Sequence, residues 1–213
     1  MKKPKLQLAC DQSSLKNALK DISKVGEIVD IIECGTILLL QEGELAIECL
    51  RALFPDKIIV ADTKCADAGQ VVARNVSEAG ADWMTCICSA TLPTMRAAAS
   101  EVAEVQVELY GDWTIKQAEQ WLDIGVHQVI YHQSRDALLN GETWSKKDLN
   151  RIKQLIDMGF QVSVTGGLVA KRLKLFKRLN VYAFIAGRAI TNSENPVSAA
   201  LEFQVEINRL WGS

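Results

Sequence analysis

One pattern restricts this chain more than any other. Eight short strand-like runs alternate with amphipathic stretches along its whole length. The runs are KLQLACD (5–11), IVDIIEC (28–34), KIIVADT (57–63), DWMTCIC (82–88), VQVEL (105–109), HQVIYH (127–132), QVSVT (161–165) and YAFIAG (182–187). Between them lie segments with helical spacing. LKNALKDISKVG carries apolar residues at 15, 18, 19, 22 and 25, one face of a helix. ELAIECLRALF, GQVVARNVSEAG, MRAAASEVAEV, IKQAEQWLDIG, KKDLNRIKQLIDMG, LKLFKRL and VSAALEFQVEINRLW follow the same logic. Gly26, Gly80, Gly125 and Gly159 stand just past helical patterns, where a C-cap glycine belongs. Strands that alternate with helices are parallel. Eight such units in 213 residues predict an α/β fold, a (β/α)8 TIM barrel in a single domain over 1–213. The rival is an open doubly wound sheet. It usually has fewer strands, and no G-x-G-x-x-G follows the first strand here.

Composition narrows the class of partner. Net charge is −2 and the pI about 5.8, without the basic excess of a nucleic-acid binder. No apolar run reaches the roughly 18 residues of a membrane span. The opening MKKPKLQLACD is broken by Gln7 and stopped by Asp11; it makes a poor signal peptide, so a cytoplasmic protein is expected. The six cysteines contain no C-x-x-C pair. They read as buried free thiols rather than a zinc site.

In a barrel of this kind, chemistry sits at the C-terminal ends of the strands. Polar residues collect there. Strand 1 ends in Asp11, strand 2 in Glu33, and strand 3 in Asp62 and Lys64. Strand 5 carries Glu108, and strand 6 ends in His132 with Arg135 just beyond. The period of two puts Val60, Asp62 and Lys64 on one face, with Glu33 on the equivalent face of the neighbouring strand. Adjacent strands lie about 4.8 Å apart, so Glu33 and Asp62 can converge. Two carboxylates that close need a cation between them or a proton on one. Mg²⁺ suits an oxygen-rich site of one or two carboxylates completed by water and substrate. The alternative is that both acids simply pair with Lys64. Strand 7 runs into Thr165, Gly166 and Gly167, and strand 8 into Gly187 and Arg188. Glycine loops in these two places, before helices, are the common phosphate site of such barrels, and Arg188 adds a donor fork.

VADTKCADAG, with Asp62, Lys64 and Asp67, resembles the D-x-K-x-x-D signature of the orotidine-5′-monophosphate decarboxylase suprafamily. LACD, VDIIECGT, ADWMTCIC, VQVELYGDWT, VIYHQSRDA, VTGGL and FIAGRAI resemble its keto-gulonate decarboxylase and hexulose-phosphate synthase branch, over about residues 6–212. The resemblance implies a homodimer with active sites at the interface and Mg²⁺ bound through Glu33 and Asp62. It implies Asp11 on substrate hydroxyls, Asp62 touching both substrate and metal, and Asp67 reaching the neighbouring subunit's site. Asp67 also stands at a helix start, where it would suit an N-terminal cap. Lys64 would stabilise negative charge with Asp62 and Asp67 holding its own charge. His132 would assist proton delivery along a route shaped by Glu108 and Arg135. The activity implied is decarboxylation of 3-keto-L-gulonate 6-phosphate to L-xylulose 5-phosphate and CO₂ through an enediolate, in L-ascorbate catabolism. The alternatives are aldol addition of formaldehyde to ribulose 5-phosphate, or a non-catalytic phosphate-binding barrel. Gln133 departs from the pattern, in which some relatives carry a basic residue.

Overall fold

The structure is a computed structural model that describes residues 2–133, 138–141 and 143–212. Eight strands close into a parallel barrel in sequence order: β1 Lys5–Cys10, β2 Ile31–Cys34, β3 Ile58–Cys65, β4 Trp83–Ile87, β5 Glu104–Leu109, β6 Gln128–His132, β7 Gln161–Thr165 and β8 Ala183–Ala186. The (β/α)8 expectation holds, and each predicted run contains its strand or most of it. β2 is shorter than expected and starts at Ile31; Asp30 before it donates its N–H to the Leu6 carbonyl at 2.8 Å. Its carboxylate accepts the Leu6 N–H at 2.8 Å.

The helices are α1 Leu15–Val25, α2 Thr36–Glu42, α3 Glu44–Leu53, α4 Gly69–Glu78, α5 Leu92–Ala99, α6 Ile115–Asp123, α7 Lys146–Asp157, α8 Arg188–Thr191 and α9 Pro196–Trp211. α1 starts where Ser14 accepts the Asn17 N–H, and it buries Ala18, Ile22 and Val25 against the sheet. Capping boxes start α6, through Thr114 and Gln117, and α7, through Ser145 and Asp148; each satisfies two otherwise unpaired N–H groups.

Four local features depart from the sequence expectation. α2, directly after β2, is an extra helix that the periodicity did not mark. α5 begins at Leu92 after the Thr91 cap and ends at Ala99, earlier than MRAAASEVAEV implied. LKLFKRL lies partly in a 3₁₀ helix, Ala170–Phe176. Gly26 caps α1 with an ordinary right-handed φ of −57°. Glycine is needed there for room: a Cβ would stand 2.3 Å from Phe54 Cζ.

Two interiors result. The larger lies between sheet and helices. It is built from the outward faces of the strands, such as Leu6, Leu8, Ile32, Ile59 and Val107, with the apolar stripes of the helices. The six cysteines are free, and five of them are buried in it or beside it. The smaller interior is the barrel itself. Toward the strand N-termini it is closed by Ile31, Val60 and Trp83, so Val60 does face inward. Much of the remaining barrel lining is polar, with Gln7, Thr85, Gln106, Gln128 and Ser163 buried, and the apolar Ile130 and Ile185 reach the cavity beside them. No helix among the described residues is long and apolar enough to cross a membrane.

Candidate active site

A cavity of about 640 Å³ opens at the C-terminal ends of the strands. Asp11, Glu33, Asp62, Lys64, Glu108 and His132 line one side. Thr165, Gly166, Gly167, Gly187 and Arg188 line the other. The closed barrel therefore brings together residues spread over nearly the whole sequence. Gln133 also lines the cavity, so the departure from the family pattern lies within the site.

The acidic side is a chain of alternating charge. Lys64 Nζ lies 2.7 and 2.9 Å from the two Asp62 oxygens and 2.8 Å from Glu108 Oε2. Burial alone would lower the lysine's pKa, but Asp62 and Glu108 outweigh it and raise it above its ordinary value. Glu108 continues the chain, with Oε1 2.5 Å from His132 Nδ1. The Tyr110 hydroxyl donates to the same oxygen at 3.2 Å and lies 2.7 Å from the imidazole nitrogen. Burial would raise the Glu108 carboxyl, but its His132 and Lys64 contacts bring it below the usual range. A lysine ammonium is thus fixed between two carboxylates at the barrel mouth. Within the subunit Lys64 is held by Asp62 and by Glu108, and among the described residues Asp67 of the same chain makes no ion pair with it.

Asp67 lies apart from the cavity lining and is exposed. It is not the cap of α4 either, since that position belongs to Ala68, with φ +54°. The backbone has turned by then. Lys64 has φ +45°, and the pairing of β3 with β4 slips between Ala61 and Cys65. Strict alternation along β3 therefore ends at Asp62. Arg135 lies outside the described residues.

Glu33 is 7% exposed, and its one hydrogen-bond donor among the described residues is the neutral Gln7 amide at 2.5 Å. Among the same residues it makes no ion pair, so the alternative that both acids pair with Lys64 holds for Asp62 alone. Burial first, then the nearby Asp62 charge, push its carboxyl well above the usual range; Asp11 adds to this. A buried carboxylate that faces other carboxylates without a cation of its own fits a metal ligand. No three His, Cys, Asp or Glu side chains among the described residues form a ready cluster. The donor set suits Mg²⁺, which takes few protein carboxylates and keeps water or substrate in its other positions.

The opposite side is built from backbone. Gly166 and Gly167 have φ of +109° and +58°. A Cβ on Gly166 would stand 2.2 Å from the Gln133 carbonyl oxygen. Thr165 Oγ1 donates to the Ile185 carbonyl at 3.2 Å, tying β7 to β8. Gly187 precedes α8, and Arg188 opens it.

The sequence reading passed over Thr36, Thr85, Tyr110 and Gln7. Thr36 Oγ1 donates to Asp62 Oδ2 at 2.7 Å, and Thr85 Oγ1 to Asp62 Oδ1 at 2.8 Å. Gln7 stands out as a polar residue between leucines on an apolar strand. The three hydroxyl residues carry no spacing that sets them apart.

The Orotidine 5'-phosphate decarboxylase / HUMPS family model matches residues 4–203. The chain belongs to this decarboxylase family. It is 48% identical over 216 aligned residues, with both chains fully covered, to 3-keto-L-gulonate-6-phosphate decarboxylase UlaD of Salmonella paratyphi B. A crystal structure of KGPDC from Streptococcus mutans superposes with a TM-score of 0.93 at 58% identity, covering 99% of this chain and 100% of that one. The 3-hexulose-6-phosphate synthase of Salmonella typhimurium shares the fold with a TM-score of 0.90 at 26% identity, covering 97% and 99%. The family's D-x-K-x-x-D segment thus falls on the end of β3. Its first acid and its lysine stand in the cavity, and its last acid stands outside.

Proposed function

We propose that this protein decarboxylates 3-keto-L-gulonate 6-phosphate to L-xylulose 5-phosphate and CO₂, with Mg²⁺ as cofactor, as a step of L-ascorbate catabolism. The observation that carries the reading is the Asp62–Lys64–Glu108–His132 chain standing opposite the glycine loops of β7 and β8. The cavity of about 640 Å³ would take a phosphorylated sugar acid with its phosphate toward the glycine loops. The backbone N–H groups of Gly166, Gly167 and Gly187, with Arg188, hold the phosphate. Binding energy gathered there positions the distant reacting carbons. Asp11 holds substrate hydroxyls.

Loss of CO₂ leaves an electron pair that delocalises into the adjacent carbonyl, giving an enediolate. Lys64, kept protonated by Asp62 and Glu108, stabilises that oxygen as its charge develops. Glu33 and Asp62 would hold Mg²⁺, which supplies Lewis-acid polarisation of a substrate oxygen. His132 Nδ1 is engaged by Glu108, which leaves Nε2 to assist delivery of a proton to the carbon that lost CO₂. Arg135 belongs to the same route. The protein works as a homodimer, and Asp67 completes the neighbouring subunit's site; its exposure outside its own cavity is what such a role needs.

The test is CO₂ release from 3-keto-L-gulonate 6-phosphate, with Mg²⁺ and with EDTA, beside an assay of formaldehyde with ribulose 5-phosphate. Rapid metal-dependent CO₂ release is expected. Formaldehyde consumption without CO₂ release would move the activity to the aldol synthase. Silence in both would leave a non-catalytic phosphate-binding barrel.

A further inference from the structure

The left-handed backbone of Lys64 is costly for a lysine and persists only where its surroundings hold it. It lies in the gap of the β3–β4 register. Ala61 pairs with Met84, and pairing resumes with Cys65 opposite Cys86. Three residues of β3 therefore face one residue of β4, Thr85. The hydroxyl of Thr85 accepts the Lys64 backbone N–H at 2.9 Å and donates to Asp62 Oδ1 at 2.8 Å. Its carbonyl accepts the Thr63 hydroxyl at 2.7 Å. Thr85 is 1% exposed and does not line the cavity.

We infer that Thr85 is a positioning residue, whose single hydroxyl fixes both the backbone of the reacting-centre lysine and the carboxylate that holds that lysine's ammonium. The role of Lys64 rests on the decarboxylase reading above; its geometry does not. One group satisfies the N–H that the bulge removes from the ladder and, through the same oxygen, orients Asp62. Lys64 Nζ is thereby placed from two directions. A small inward-facing apolar residue would fill the space equally well but hold neither partner. A threonine that served only to pack the barrel would be replaceable by valine, which has nearly the same shape.

Thr85→Val and Thr85→Ser separate these roles. The valine variant should lose about ten-fold or more in kcat, equivalent to about 1.4 kcal/mol of barrier, with KM held within about two-fold because phosphate binding lies elsewhere. The serine variant, which keeps the hydroxyl, should restore kcat. Full kcat in Thr85→Val would overturn the inference. If the valine variant does not fold, Thr85→Ser decides alone, and a large loss of kcat in it would overturn the inference. The second measurement is a crystal structure of metal-free, substrate-free Thr85→Val. Lys64 should leave its positive φ or release Asp62; retention of both would overturn the inference. An inactive wild-type protein would instead remove the proposed substrate, and the crystallographic result would still judge Thr85.

Discussion

Glu33 and Glu108 are both buried in the barrel mouth, yet their carboxyls are displaced in opposite directions. The difference lies in their partners. Glu108 touches the Lys64 ammonium and the His132 imidazole, whereas Glu33 has an amide and faces acids. The linkage follows from sign. The folded pKa of Glu108 is depressed, so its contribution to stability is present above the unfolded carboxylate range and is lost as pH falls through the folded value. The folded pKa of Glu33 is raised, so its contribution is full below the unfolded pKa of about 4.3. It is lost as pH rises through the folded value. Glu33→Gln should therefore raise the Tm of the metal-free protein near neutral pH, by about 2–4 °C for each kcal/mol relieved. The gain should vanish toward pH 4. On the proposed metal reading Mg²⁺ should raise the Tm of the parent, and the same variant should lose that increase. Differential scanning calorimetry across pH, with and without Mg²⁺, checks both; an unchanged Mg²⁺ response would remove Glu33 as a ligand. Lys64→Ala, at the same scale, should cut kcat far more than it raises KM, because its proposed partner is the charge that develops during reaction. Steady-state kinetics showing the reverse pattern would end its transition-state role.

At the scale of the element, the loop after β7 is the more exacting structure. Gly166 has a positive φ and lies against the Gln133 carbonyl. Gly166→Ala should cost about 1–3 kcal/mol of stability from backbone strain and raise KM more than it lowers kcat. A thermal melt and steady-state kinetics read the two effects; an unchanged KM would place the phosphate elsewhere. The strands were legible either as near-continuous apolar runs, as in β2, β3 and β8, or as apolar residues alternating with inward polar ones, as in β5 and β7, and the loop was legible because glycine pairs mark positive φ. The short α2 was not, since TILLLQE reads as a simple apolar run with no polar face. The 3₁₀ segment was missed because KRLKLFKRL fits helical spacing in general. Within the site, acids and lysine declared themselves by standing at strand ends. Period-two reasoning puts Lys64 on the Asp62 face, and both do line the cavity; what it does not show is the register slip and the positive φ through which Lys64 gets there. Hydroxyl residues such as Thr36 and Thr85 are too common in strands and at helix starts to be read without the register.

The barrel as a whole explains why Asp67 belongs to the same motif yet stands outside the cavity. A closed parallel sheet gathers each strand end to one mouth, and the left-handed turns at Lys64 and Ala68 direct the rest of the motif to the outer surface. Leu40 on α2 and Val71 on α4, the helices that follow β2 and β3, are 75% and 59% exposed. In a two-fold dimer each Asp67 would serve the opposite site. The consequence is specific. Lys64→Ala and Asp67→Ala should each be nearly inactive alone. In a mixed dimer, one site carries both defects and the other carries neither. Equal mixing after subunit exchange yields half mixed dimers, so activity should recover to about a quarter of the parent's. No recovery, with exchange confirmed by mass spectrometry of differently labelled subunits, would return Asp67 to its own subunit. A sedimentation profile showing only monomer at assay concentration would exclude the shared site altogether.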